Sequence, residues 1–204
     1  VLAAKGGLEP ALRWERIEKA AAESQPAVMR AAARGLPADD FALANDYAAF
    51  VESPHDRALN WPKTPRSRLV ASHGLARRAK ASPASIDTLL PKFSDALGMN
   101  DAERGRALYQ SALQTVASYL PDSARRLNAV PDVAYDEKLH EWRVREAMAR
   151  SDWKAALAGI RRMGDKQRRD SRWRYFEARL LEMAGDKTNA EILYRDAANK
   201  AEYH

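Results

Sequence analysis

A fixed offset of 34 residues relates two stretches of this chain, and it constrains the fold more than any other feature. Trp142 falls on Phe176, Ser151-Asp152 on Gly185-Asp186, Ala156 on Ala190 and Ile160 on Tyr194. That period belongs to helix-turn-helix solenoids, in which no unit buries its apolar face alone and stacking supplies the core. The chain is therefore expected to be all-α: a right-handed helical-repeat superhelix, an α-α solenoid of tetratricopeptide-like kind, with about eleven helices. One domain over 1–204 follows, with irregular N-terminal layers over 1–51, a Pro-rich loop over 52–65, middle layers over 66–132 and two matched helical pairs over 133–200.

Composition agrees with close-packed helices. Alanine is about a fifth of the chain, while glycine and β-branched residues are scarce. There is no cysteine, which excludes a disulfide framework and a thiolate metal site. Lys and Arg number 34 against 28 Asp and Glu, a net charge of +6 with Arg in large excess over Lys. A mildly basic balance suits an anionic polymer such as nucleic acid, acidic lipid or cell-wall glycan, and also serves solubility alone. No apolar run reaches the length of a membrane span, and Val1 to Leu8 lacks the layout of a secretion signal, so the chain reads as a mature or trimmed piece.

Local signals place the helices. Pro10 opens one through Ala22, and Gln25-Pro26 opens a second through Arg34 that Gly35 stops. From Asp39 to Val51, the residues Phe41, Ala44, Tyr47, Ala48 and Val51 share a face apolar enough to be buried. Pro54, Pro62 and Pro65 mark a loop with a short turn near Arg57 to Trp61. An Arg-rich helix then runs from Pro65 to Lys80 with Leu69, Ser72, His73 and Ala76 on one side. Ser82-Pro83 starts the next, Gly98 ends it, and Pro91 is expected to kink or split it. Asn100 and Glu103 have capping-box spacing and open a helix through Tyr119, with Leu108, Ala112, Thr115, Val116 and Tyr119 as its core stripe. A short helix over Pro121 to Val130 and a break at Pro131 precede the matched pairs. Their turns at Ser151-Asp152, Gly164-Asp165 and Gly185-Asp186 set Gly or Ser beside a capping Asp. The earlier pairs do not overlay on this period.

Few residues advertise chemistry. His55, His73, His140 and His204 are scattered, none four residues from another His, so no metal motif exists. Gly6-Gly7 precedes neither a strand nor a Lys-Ser/Thr, so it is no phosphate loop. Glycosidase chemistry needs a carboxylic acid raised in pKa within a cleft. The two Glu-Ser pairs, Glu23-Ser24 and Glu52-Ser53, sit at helix ends, where solvated or capping roles prevail. The run from Arg168 to Phe176 interleaves arginines with aromatics, a pattern able to stack on rings and pair with anions. Trp173, Phe176, Leu180 and Met183 share a stripe that packing alone explains. Arg172, Arg174 and Arg179 are the substrate-contact candidates. No catalytic residue and no cofactor are expected in this chain.

His140-Glu141-Trp142-Arg143-Val144-Arg145, Ser151-Asp152-Trp153, and Ser171-Arg172-Trp173-Arg174-Tyr175-Phe176-Glu177-Ala178-Arg179 followed by Gly185-Asp186 and Ala190 together resemble the superhelical U-domain of soluble lytic murein transglycosylases. Gly35-Leu36-Pro37-Ala38-Asp39-Asp40 and Leu75-Ala76-Arg77-Arg78 extend the resemblance over most of the chain. It implies a periplasmic enzyme acting on peptidoglycan glycan strands. That enzyme cuts between N-acetylmuramic acid and N-acetylglucosamine, leaves a 1,6-anhydro ring, and uses one Glu in a Glu-Ser motif followed by a Gly-Leu-Met-Gln-type segment. Neither Glu-Ser pair here is followed by such a segment. The resemblance thus implies a non-catalytic scaffold segment, with glycan strands and cell-wall proteins as partners, and neither nucleic acid nor a membrane span. It also implies a further helical layer after Glu202-Tyr203-His204.

Two other readings stand beside it. A tetratricopeptide-like adaptor, binding a protein or peptide in its concave face, shares the period and the Gly-Asp and Ala positions. An RNA-binding helical repeat needs successive layers that each read a base, and only two layers here match one another.

Overall fold

The computed structural model describes residues 7–200, which form twelve α-helices and no strand. They are α1 (Pro10–Ala22), α2 (Pro26–Ala33), α3 (Ala38–Glu52), α4 (Pro65–Ala81), α5 (Ile86–Leu97), α6 (Asp101–Ala117), α7 (Ser123–Ala129), α8 (Glu137–Ala149), α9 (Trp153–Arg161), α10 (Asp165–Arg168), α11 (Ser171–Met183) and α12 (Lys187–Lys200). Short 3-10 turns occupy Asp56–Asn60, Pro83–Ser85 and Asp132–Ala134. The expectations placed on the chain's first six residues, among them Gly6, and on Glu202, Tyr203 and His204 lie outside the described residues. The all-α class is as the repeat predicts. The count exceeds about eleven because Asp165–Arg168 makes a helical turn of its own between the two pairs.

Contacts divide the chain into two compact units. One reaches to Gln114 and includes Ala129–Ala134; the other holds Thr115–Asn128 and the described residues from Tyr135 onward.

In the first unit α1 packs on α2 and α4, α2 on α3, α3 on α4, and α4 on α5. Apolar positions at helical spacing put Ile17, Met29, Tyr47, Phe50, Leu75 and Phe93 at the centre, all fully buried. Side chains of this size contribute about 1.5–3 kcal/mol each on burial. The rings meet edge-on, Phe50 with Phe93 at 5.0 Å and with Trp61 at 5.1 Å between centroids. The Pro-rich loop is tied down by Asp46, whose carboxylate accepts from Trp61 Nε1 at 2.7 Å and Arg57 Nε at 2.8 Å. Arg13, 1 % exposed, is an unusual core residue. Its guanidinium donates to the carbonyls of Leu8, Ala32 and Arg34, the last two at the C-terminal end of α2. It thereby supplies donors to helix-end carbonyls that would otherwise lack them.

The second unit repeats itself as the offset requires. Helices α8 and α11 are both 13 residues long. Asp136 and Asp170 cap their N-termini. Asp152 and Asp186 do the same one turn-helix later, accepting from the N–H groups of Ala155 and Asn189. Those bonds, with the Asn189 side chain foremost at Asp186, hold both carboxyls below their ordinary value. Between the helices of each pair the same turn recurs. Ser151 and Gly185 take positive φ, 59° and 89°. The N–H groups of Asp152 and Asp186 reach back to the carbonyls of Ala147 and Leu181, which is the Schellman pattern. Val144, Ala147, Ala156, Ile160, Met163, Trp173 and Leu180 form the core.

Several local expectations are corrected. Pro91 does not split α5, which runs unbroken from Ile86 to Leu97. Losing one N–H is outweighed by the buried stripe of Ile86, Leu90, Phe93 and Leu97. On α4 the buried side is Val70, Ala71, Gly74 and Leu75, with Leu69, His73 and Ala76 at its margin. Phe41, Tyr119 and Met183 lie exposed, because each stands at or beyond the end of its stripe, where the neighbouring helix no longer covers it. Gly164 is an extended N-cap at φ −61°, unlike the turns at Ser151 and Gly185. The Asn100 and Glu103 capping box is present, with reciprocal bonds of 2.9 Å.

Candidate functional site

The three arginines singled out by the sequence all lie on α11 and do not form one cluster. At about 100° per residue, Arg172 and Arg179 share a side of the helix and Arg174 points away from them. Arg172 is half exposed, donates to Glu141 at 3.0 Å and lies 4.9 Å above the Trp173 ring. Arg179 is exposed and donates to Glu182 at 2.7 Å. Arg174 is largely covered, 3.1 Å from an Asp196 carboxylate oxygen and 3.8 Å from Glu177. Each thus has a carboxylate of its own, which offsets its charge locally.

A second concentration of cations lies in the first unit. An open cleft of about 540 Å³ lies between α4 and α6, bounded by the end of α1 at Ala22 and Ser24 and by Val133 and Ala134. Arg77 and Lys80 project into its lining from successive turns of α4, and Arg106 and Gln110 from successive turns of α6, with His73 and Tyr109 between. Among the described residues no acidic side chain lines it. Arg77 is anchored through Nη1 on the Val51 carbonyl at 3.0 Å, and Arg106 through Nη1 on Ser72 Oγ at 3.1 Å. Ser72 in turn donates to the Glu103 carbonyl at 2.6 Å, so α4 and α6 are stitched together beneath the cleft. Burial, and then the nearby Arg106 charge, lower the His73 imidazole from 6.5 to about 4, so it is neutral at pH 7. The arrangement can hold an anion and offers neutral hydrogen-bonding groups beside it. It contains no carboxylate to act as a general acid.

A second cleft, of about 490 Å³, lies in the second unit. Val116, Leu120 and Pro121 form its apolar floor, and Tyr119 meets Trp142 edge-on at 6.4 Å. The Arg145 guanidinium sits 5.6 Å from the Trp142 ring centre.

Neither Glu-Ser pair forms a buried acid. Glu52 is clamped by both Nη atoms of Arg30 at 2.5 and 2.7 Å, which hold its carboxyl below the ordinary value. Glu23 is exposed at the end of α1, next to Ser24 in its turn. Among the described residues no group of three or more His, Asp or Glu side chains is placed to hold a metal ion. No described helix is long and apolar enough to cross a membrane. Nothing in the sequence marks the cleft as a unit. Its one visible trace is the pair of cations three residues apart at Arg77 and Lys80, with Arg106 brought beside them only by packing.

The sequence matches no protein-family model and no curated protein. Its fold does match solved structures. The 70 kDa soluble lytic transglycosylase in complex with bulgecin A aligns at TM-score 0.72 and 20% identity, over 94% of this chain and 32% of that one. An inactive mutant of the lytic transglycosylase Slt from Pseudomonas aeruginosa aligns at TM-score 0.71 and 23% identity, over 95% of this chain and 32% of that one. The 70 kDa soluble lytic transglycosylase from Escherichia coli aligns at TM-score 0.72 and 21% identity, over 93% and 31%. The chain spans about a third of the length of these proteins and has the fold of that portion of them.

Proposed function

We propose that this chain is a superhelical scaffold segment of a periplasmic lytic transglycosylase, an enzyme that cleaves the bond between N-acetylmuramic acid and N-acetylglucosamine in peptidoglycan and releases 1,6-anhydromuropeptides. The observation that carries the reading is the fold likeness over nearly the whole chain to solved lytic transglycosylases, together with the Trp-Arg motifs of α8 and α11. The segment itself is non-catalytic: Glu52 is held as an ion pair with Arg30, and Glu23 lies exposed at a helix end. Catalysis by a glycosidase acid requires the opposite environment, one that keeps the carboxyl protonated. The scaffold's part is to meet glycan strands and cell-wall proteins. Arg172 and Arg179 on the exposed side of α11 are its contacts for anionic groups in the second unit, and Arg174 keeps α11 against α12 through Asp196.

The chain incubated with purified sacculi should release no 1,6-anhydromuropeptide detectable by chromatography and mass spectrometry. Release above that of a heat-denatured sample would refute the non-catalytic role.

A further inference from the structure

The cleft between α4 and α6 brings three cations round one concavity. Most exposed arginines here have a carboxylate within ion-pair distance, among them Arg104, Arg145, Arg150, Arg172 and Arg179. Arg77, Lys80 and Arg106 have none at that distance among the described residues; Glu52 feels the Arg77 charge but is clamped by Arg30. Among the described residues the two arginines donate to neutral oxygens, Arg77 to the Val51 carbonyl and Arg106 to Ser72 Oγ. Both guanidinium groups are held through Nη1, and among the described residues the Nε–Nη2 edge of neither has a hydrogen-bond acceptor. That edge is the fork that takes a carboxylate through two parallel hydrogen bonds.

Three like charges gathered round one concavity repel one another and draw an anion into the low-dielectric wall between them. The C-terminal end of α1 at Ala22 and Ser24 opposes this with a partial charge of only about −0.5, and its carbonyls at Ala20 and Ala21 already accept the N–H groups of Gln25 and Ser24. Gln110 adds a neutral hydrogen-bonding group. The volume, about 540 Å³, is in the range that holds a small ligand of peptide or disaccharide size.

We propose that this cleft is a binding site for a ligand bearing two or more carboxylates, of the class of an acidic peptide joined to an amino sugar, with Arg77 and Arg106 each gripping a carboxylate and Lys80 neutralising the pair. The identity of the ligand rests on the peptidoglycan reading above; the anion site rests on the cleft alone. A site of this kind holds a peptide-bearing strand on the scaffold without acting on it chemically.

Calorimetric titration of the full chain tests the site with three probes: a disaccharide carrying an acidic tetrapeptide, the same compound with its carboxylates amidated, and inorganic phosphate. The acidic compound is expected to bind, and amidation to weaken it about tenfold or more, the loss of at least one charge-assisted hydrogen bond. Lys80→Gln, at a side chain with no hydrogen bond or ion pair among the described residues, should lower affinity by a similar factor with the thermal midpoint unchanged; Arg106→Gln should lower it as far, and Arg195→Gln, outside the cleft, leaves it intact. Equal binding of the amidated compound overturns the proposal, as does equally tight binding of phosphate in competition, which marks a general anion site. Indifference to Lys80→Gln and Arg106→Gln also overturns it. If the acidic compound fails to bind while the chain still sediments with sacculi, the cleft is refuted and the scaffold reading stands; if it does neither, both fall.

Discussion

Arg168 grips both carboxylate oxygens of Glu177, at 2.6 and 3.2 Å, and Glu177 is only 2 % exposed. The pair joins the short α10 to α11, and Glu177 raises the Arg168 guanidinium above its ordinary value. Removing the arginine leaves a buried carboxylate with only Arg174, 3.8 Å away, to answer it. Arg168→Ala should therefore destabilise the second unit by about 2 kcal/mol, less than a wholly buried pair because solvent reaches the arginine. Glu177→Gln, which removes the charge, should cost less than Arg168→Ala. Urea unfolding of both variants checks the order.

The two equivalent turns make opposite predictions. Ser151 and Gly185 both occupy left-handed backbone, at φ 59° and 89°, and no atom lies within 4 Å of where a Cβ on Gly185 would stand. Only backbone strain distinguishes the two residues there. Ser151→Gly should stabilise the protein by about 1 kcal/mol and Gly185→Ser destabilise it by about as much. Changes of the same sign in thermal unfolding would contradict the equivalence of the turns.

Gly74 is buried in α4 against the ring of Phe50. A Cβ there would lie 2.7 Å from Phe50 Cδ1. The ring is held on its other sides by Phe93 and Trp61 and cannot step aside. Alanine's advantage in helices, about 1 kcal/mol, is expected to lose to overpacking of about 2–3 kcal/mol. Gly74→Ala should thus lower the unfolding midpoint, and the double variant Gly74→Ala, Phe50→Leu should recover part of the loss.

His73 sits in the basic cleft with Arg77, Lys80 and Arg106 and no acid. Its folded-state value is about 4 against 6.5 unperturbed, so the unfolded chain binds the proton more tightly and acid favours unfolding. This contribution is complete above pH 6.5, fades as the pH falls toward 4 and is gone below that. For a half-buried ring its size is on the order of 2 kcal/mol. Between pH 6.5 and 4, His73→Asn should lose less stability than the parent chain. Parallel stability curves across that window would contradict the assignment.

What could be read from the chain was whatever depends on neighbours in sequence. The offset that places Ser151 on Gly185 and Asp152 on Asp186 appears as two copies of one turn, and the capping box at Asn100 and Glu103 forms as its spacing requires. Periodicity was less reliable at the ends of stripes. Phe41, Tyr119 and Met183 keep the spacing of core residues but are exposed, because burial depends on whether a neighbouring helix extends that far. The site was hardest to read. Arg172, Arg174 and Arg179 stood out by their aromatic neighbours, yet each is paired with a carboxylate from another turn or helix. Arg77, Lys80 and Arg106 are ordinary surface cations in the sequence, and only the packing of α6 on α4 brings them together without an acid.

Sedimentation of the chain with purified sacculi at rising salt tests the scaffold role most directly. The chain is expected to pellet with sacculi in dilute buffer and to return to the supernatant as salt screens its basic surfaces, by roughly 0.5–1 M, where the screening length shrinks toward 3 Å. A chain that stays in the supernatant even in dilute buffer, at the level of a protein without affinity for cell wall, would contradict it.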